Sequence, residues 1–239
     1  MNSTFKQPAS IRLYRTAPHR CSYLPDQQAV TVFVDPELTI SGNLHSRLST
    51  MGYRRSGFHV YRPDCGECRA CVSTRVIVDR FRYKRRHQKI LNRNADLQVR
   101  RVESLGDDEC YRMYHHYITE RHRDGDMYPP SKEQYESFIN TKVDGTEFYK
   151  FYAGRSLTAV SIVDYLDHGL SAVYTFFDPL QSRRSLGTHA ILWQIERART
   201  LGLPYVYLGY WVKGCRKMNY KSSFRPLEML VAGKWIVVN

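Results

Sequence analysis

Apolar and polar positions keep two rhythms along this chain, and the rhythm changes near its middle. In the first hundred residues the apolar runs are short. Ile11-Arg12-Leu13-Tyr14 alternates and predicts a brief strand, and Ala29 to Val34 is a β-rich run that stops before Asp35-Pro36. Ser41 to Met51 puts Leu44 and Leu48 on one face, with Ser41 placed to cap and Gly52 to stop a short helix. Gly52 to Tyr61 alternates again, with Tyr53, Phe58 and Tyr61 set among arginines and His59, as in a strand or hairpin. Val72 to Val78 reads as a strand, a helix starts near Tyr83 and breaks at Asn92-Arg93-Asn94-Ala95-Asp96, and Leu97 to Val102 is a short strand. A soft boundary falls near Gly106.

Residues 107–141 then carry a helical period. Asp107 and Asp108 open one helix whose apolar side is Cys110, Met113, Tyr114, Tyr117 and Ile118, and the capping box Ser131-Lys132-Glu133-Gln134 opens a second, to about Thr141. Beyond them the period drops to two. Glu147–Ala153, Leu157–Asp164 and Leu170–Phe177 predict three consecutive strands, joined at Gly154-Arg155 and Asp167-His168-Gly169: an antiparallel meander. Ser185 to Leu201 is a helix closed by Gly202, Leu203 to Val212 a strand, Lys213 to Lys221 a basic loop or helix start, and Trp235 to Val238 a last strand. The whole is α+β, divided into a cysteine-containing α/β region at 1–105 and a second domain at 106–239.

Composition sharpens this. With 239 residues, 42% hydrophobic and 13% aromatic, the chain can bury a substantial core. A formal charge of +13 favours a polyanionic partner, nucleic acid above all. The densest basic run, Arg80-Phe81-Arg82-Tyr83-Lys84-Arg85-Arg86-His87-Gln88-Lys89, interleaves cations with aromatics, which suits a phosphate backbone with unstacked bases; the solvated face of a helix is the alternative. No apolar run approaches the ~20 residues of a membrane span. The first residues hold no apolar signal segment, and six cysteines without one point to a reducing compartment, hence the cytoplasm.

Cys65-Gly66-Glu67-Cys68-Arg69-Ala70-Cys71 places three thiols at C-x2-C-x2-C spacing, with Arg54, Arg55, Arg62, Arg69 and Arg75 nearby. Such spacing lets sulfurs turn onto one centre, so zinc or an iron–sulfur cluster is a possible occupant, with Cys21 as a fourth ligand; buried unliganded thiols are the other reading.

Three strands, a glycine-containing loop, a long helix and another strand resemble the N-acetyltransferase type of acyltransferase fold. In that fold a loop of pattern Q/R-x-x-G-x-G/A holds pyrophosphate at a helix N-terminus, and here it reads Arg184-Ser185-Leu186-Gly187-Thr188-His189. His189 stands where the pattern has a small residue, and its bulk should keep a phosphate off the backbone.

Longer motifs carry a closer resemblance. Tyr61-Arg62-Pro63-Asp64-Cys65-Gly66-Glu67-Cys68-Arg69-Ala70-Cys71-Val72-Ser73-Thr74-Arg75-Val76, Leu170 to Pro179, Ser185-Leu186-Gly187-Thr188, and Tyr207 to Lys221 are similar to the bacterial aspartate/glutamate leucyltransferases, relatives of the arginyl-tRNA–protein transferases. The resemblance runs from about Tyr23 to Trp235. It implies transfer of leucine from leucyl-tRNA to proteins beginning with Asp or Glu, which marks them for degradation. Aminolysis of an activated ester needs positioning, proton removal and oxyanion stabilisation, and no cofactor. Arg75 is the candidate for the acceptor's acidic side chain. Arg183, Arg184, Gly187, Thr188, Lys213 and Lys217 are candidates for donor contacts. Asp164 is the candidate base or amine anchor, and Tyr174 and Tyr210 are candidate oxyanion donors. A coenzyme A-dependent acetyltransferase and a metal-containing RNA-binding module are the competing readings.

Overall fold

The computed structural model describes residues 10–239. Its first part holds β1 (Leu13–Arg15), the two-residue strands β2 (His19–Arg20) and β3 (Gln28–Ala29), β4 (Thr31–Val34), helix α1 (Gly42–Thr50), β5 (Arg54–Ser56) and β6 (His59–Pro63). Four of these strands form an antiparallel sheet in the order β1-β4-β6-β5. Alternation sorts its residues. Val34 and Val60 turn to one face and pack with Leu48 and Tyr53 into a small core, while Phe33, His59 and Tyr61, at the intervening positions, take the other. Ser41 caps α1 by accepting the Leu44 N–H, as its sequence predicts.

The rest comprises β7 (Cys71–Ile77), α2 (Arg85–Arg93), β8 (Leu97–Val102), α3 (Asp108–Arg121), α4 (Lys132–Gln134), β9 (Thr146–Ala153), β10 (Ser156–Leu166), β11 (Gly169–Phe177), α5 (Leu186–Thr200), β12 (Tyr205–Val212), β13 (Leu227–Val231) and β14 (Lys234–Val238). The helix expected over 131–141 is one turn, α4, that widens into a π-helical turn over Tyr135–Ile139 and buries Tyr135 and Ile139. 3₁₀ segments span Pro179–Arg184 and Arg216–Ser223.

An eight-stranded sheet, ordered β14-β13-β7-β12-β11-β10-β9-β8, organises this part. The meander β9-β10-β11 is present as its period foretold. β13 was not expected; it pairs with β14 and with β7, whose partners lie some 150 residues away in sequence. Hydrogen bonding therefore runs across position 106: β7 lies in the middle of the sheet and β8 at its edge, although both precede the expected boundary. Only β11 and β12 are parallel, and α5 is the crossover between them. Helix α5 buries Leu186, Ala190, Leu192, Ile195 and Ala198 in a core shared with Val76, Phe81 and Phe151. A second core holds Tyr114 and Ile118 of α3 against Phe148, Ile162 and Phe176.

Candidate active site

The parallel pair at the sheet's centre comes apart. Register between β11 and β12 runs only from Gly169↔Tyr205 to Ser171↔Tyr207, although β11 continues to Phe177 and β12 to Val212. Strands that diverge leave backbone groups without ladder partners, and those groups need other donors. Arg54 and Lys221 supply them. Arg54, on β5, donates from Nη2 to the carbonyls of Ala172 and Val173 at 3.2 and 3.3 Å. Lys221 donates from Nζ to the carbonyl of Tyr210 on β12 at 2.6 Å. Each edge of the gap thus carries one basic side chain.

Gly209 makes room for the first. Its φ is +74°, and a Cβ there would lie 1.1 Å from Nη1 of Arg54. Any side chain would evict the guanidinium. Behind it is a cavity of about 10 Å³ lined by Ser49, Ser73, Thr74 and Ser171, room for one water. Among the described residues, no carboxylate is within ion-pair distance of Arg54 or Lys221.

The surroundings are phenolic and thiol. Arg54 lies near enough to Tyr23 and Tyr210, and Cys71 and Cys215 near enough to Lys221, to shift proton affinities, and Tyr61 packs against Tyr210. Burial drives the Lys221 ammonium well below the ordinary lysine range, and Arg54 pushes the same way. Burial lifts the Cys71 thiol to about 12, with Cys21, Cys65, Cys68 and Cys215 adding to the rise.

Most of the residues picked from sequence sit elsewhere or are already engaged. Asp164 is fully buried and takes a bidentate ion pair from Arg55, at 2.8 and 2.7 Å, plus the Thr146 hydroxyl at 2.7 Å. A carboxylate with no exposure and three donors has no site for an incoming ammonium; it ties β5 to β9 and β10. Tyr210 lies on the gap, but its hydroxyl donates to the Gly52 carbonyl at 2.8 Å. The Tyr174 hydroxyl points at the Met127 sulfur, 3.4 Å away. Neither is free to donate to an oxyanion. Arg75 donates to Glu228 at 2.6 Å and to the Tyr207 hydroxyl at 3.0 Å, and its guanidinium lies 3.6 Å from the Tyr205 ring centroid and 4.1 Å from that of Trp235. That caged arginine has little left to offer an acceptor carboxylate.

The loop before α5 is packed rather than open. Arg184 makes a bidentate pair with Asp96 at 2.8 and 2.9 Å, while Arg183 is exposed. A Cβ on Gly187 would meet the Phe177 ring at 3.1 Å, so this glycine faces an aromatic wall, with Thr188 half-buried beside it. His189 does not lie over the loop. It points inward, edge-on to Phe151, and burial lowers its proton affinity to about 4, helped by Arg184. Lys217 pairs with Asp124 at 2.6 Å, and Lys213 is exposed.

The thiols do gather near Cys71, with Cys215 as an unforeseen fifth member. They do not converge. Among the described residues no three cysteine, histidine or acidic side chains are placed to share a metal ion. The Cys65 sulfur is occupied by the Val30 backbone, and Cys21 accepts from the Tyr23 N–H. In the basic run, Arg80, Arg82, Lys84, Arg85, Arg86 and Lys89 are exposed, but Phe81 is 1% exposed and Tyr83 is bonded to Glu196. Its cations can meet phosphates; its aromatics belong to the core.

A meander, a helical crossover and a splayed parallel pair together define an acyltransferase-like catalytic domain, here with an N-terminal sheet that feeds a cation into the gap. The chain belongs to the arginine-tRNA-protein transferase family: the family's N-terminal description matches residues 19–89 and its C-terminal description residues 109–231. It is 51% identical over 231 residues to the aspartate/glutamate leucyltransferase of Stutzerimonas stutzeri (strain A1501), covering 97% of this chain and 98% of that protein. It is 52% identical over 227 residues to the protein of the same name from Alcanivorax borkumensis, covering 95% and 94%. Among solved structures, the C-terminal domain of a putative lysylphosphatidylglycerol synthetase from Agrobacterium fabrum is similar at a TM-score of 0.49, with 14% identity, over 83% of this chain and 64% of that one.

Proposed function

We infer that this chain moves leucine from leucyl-tRNA to the α-amine of proteins beginning with Asp or Glu, at the gap between β11 and β12. A new bond forms between the acceptor nitrogen and the leucyl carbonyl carbon, and the ester bond to the terminal ribose breaks. One proton leaves the amine and one is gained by the ribose oxygen. The observation that carries this reading is Arg54, a guanidinium held in the gap by two carbonyls and lacking a carboxylate of its own. A planar guanidinium with free donors is matched to the carboxylate of an acidic first residue. Lys221, held towards its neutral form by burial, can take the amine's proton at the other edge. The exposed cations of 80–89 fit the donor's phosphates. All six cysteines are unpaired, which suits a cytoplasmic protein, and no helix among the described residues is long and apolar enough to cross a membrane.

The test is transfer itself. Protein is incubated with labelled leucyl-tRNA or labelled acetyl-coenzyme A and a reporter with N-terminal Asp, Glu or Ala. Leucine should move to the Asp and Glu reporters alone. Acetyl transfer, or no leucine transfer, overturns the reading. Loss of acceptor discrimination in Arg54→Lys places recognition at Arg54; discrimination that survives it places recognition elsewhere.

A further inference from the structure

The aromatics that the basic run fails to present are found on the N-terminal sheet. Strand register aligns Tyr14 of β1 with Phe33 of β4, Phe33 with Tyr61 of β6, and Tyr61 with Arg54 of β5. Cross-strand partners share a face, so these four side chains form one row across the sheet. The face is the one away from α1. At strand spacing the row is about 14 Å long. It begins in the open, with Tyr14 50% exposed at the sheet's outer edge, and ends at Arg54 in the gap between β11 and β12. Its rings are in reach of one another: Phe33 to Tyr61 5.8 Å, Phe33 to His59 6.0 Å edge-on, and Tyr61 to Tyr210 6.3 Å. At the outer end Tyr14, Phe33, Pro36 and His59 wall an open cavity of about 320 Å³, in the size range of small-ligand pockets.

We propose that this row is the platform on which the unpaired 3′ nucleotides of the donor tRNA stack, leading its esterified end to Arg54. The inference rests on the aminoacyl-tRNA reading above and adds where the donor lies. Three features select this occupant. Sheet-borne aromatics stack two or three unpaired bases in RNA-binding domains with four-stranded sheets, and this sheet has the same strand count. The row is continuous with the reaction gap, so a strand lying on it delivers its terminus there. Arg12, exposed just before the edge strand and two residues from Tyr14, puts positive charge beside the outer end, where a phosphate backbone would enter, while Arg15 is tied to Asp64 at 3.2 Å. An apolar protein partner would need no cations there and no path to the gap.

The probe is a short single-stranded RNA ending in C-C-A, with binding measured by titration to the full chain and to Tyr14→Leu, Phe33→Leu and Phe33→Tyr. Leucine keeps the apolar volume and removes the π-face. Each leucine variant should bind the oligonucleotide about tenfold more weakly, within the range that one stacked base supplies, and Phe33→Tyr should bind as the parent does. In transfer assays the leucine variants should raise the KM for leucyl-tRNA and not the KM for the acceptor peptide. Undiminished oligonucleotide binding by both leucine variants, or a rise confined to the acceptor KM, overturns the platform. Should the parent protein move no leucine at all, the transferase reading fails, while the oligonucleotide titration still decides whether the row stacks RNA bases.

Discussion

Arg54 and Arg55 are adjacent in sequence and belong to opposite regions of the molecule. Arg55 is 5% exposed and saturated: it holds Asp164 with two hydrogen bonds and reaches Thr146 and the Gly57 carbonyl besides. Arg54, one step along β5, faces the gap, touches only two backbone carbonyls and has no anion among the described residues. A charge whose valences are filled is a strut; one left open beside a cleft is available to a ligand. The same contrast separates Arg75, caged by Glu228, Tyr205 and Trp235, from Lys221, whose ammonium meets a single carbonyl.

The strut should break hardest. Asp164→Asn leaves Arg55 buried without its counter-ion and should cost about 3–5 kcal/mol of unfolding free energy, read from denaturant midpoints. A small loss with abolished transfer would return Asp164 to the chemistry. His189 tests a buried group kept neutral rather than paired. Its proton affinity falls to about 4 in the fold, below the ordinary 6.5, so the unfolded chain binds the proton more tightly. Its stabilising effect is complete above pH 6.5 and is lost as pH falls towards 4, worth about 3 kcal/mol at most. Thermal unfolding between those pH values should show the loss, and His189→Gln should flatten it.

Arg54→Met should show the opposite pattern from Asp164→Asn. Transfer to an Asp reporter should fall about 10²-fold in kcat/KM, the scale of one lost charged contact, while the unfolding midpoint moves little. Equal losses in stability and transfer would erase the distinction between the two arginines. The mildest change is Cys68→Ala. Cys68 is half-buried and belongs to no metal-holding group among the described residues, so the variant should stay within about 1 kcal/mol of the parent and keep its transfer rate. Loss of activity, with metal found in the parent protein by mass spectrometry, would show that the thiols converge on an ion.

The meander was legible because three β-rich runs between Glu147 and Phe177 are separated by the turn residues Gly154-Arg155 and Asp167-His168-Gly169, and α1 because Ser41, Leu44, Leu48 and Gly52 state its start, face and end. β13 was not, since Leu227 to Val231 alternates too weakly and owes its place to β7 on one side and β14 on the other. Among site residues, Arg54 was visible only as one of five arginines around the cysteine loop. Alternation puts Arg54 and Arg55 on opposite faces, but not which face meets the gap. Asp164 and Tyr210 were correctly assigned to strands near it, yet their partners, Arg55 and the Gly52 carbonyl, lie more than a hundred residues away.

The sequence by itself determined the α+β class, the family, the net positive charge, and the order of most strands and helices, because composition, periodicity, capping and long motifs are local properties of the chain. Tertiary structure decided which charged groups are satisfied. That is a question of whether a counter-charge or carbonyl lies within about 3 Å, and such distances are set by packing between distant segments rather than by neighbours in sequence. It also decided which aromatics are exposed: Phe81 was drawn into the core beside α5, whereas Tyr14 and Phe33 were left on an open sheet face leading to Arg54.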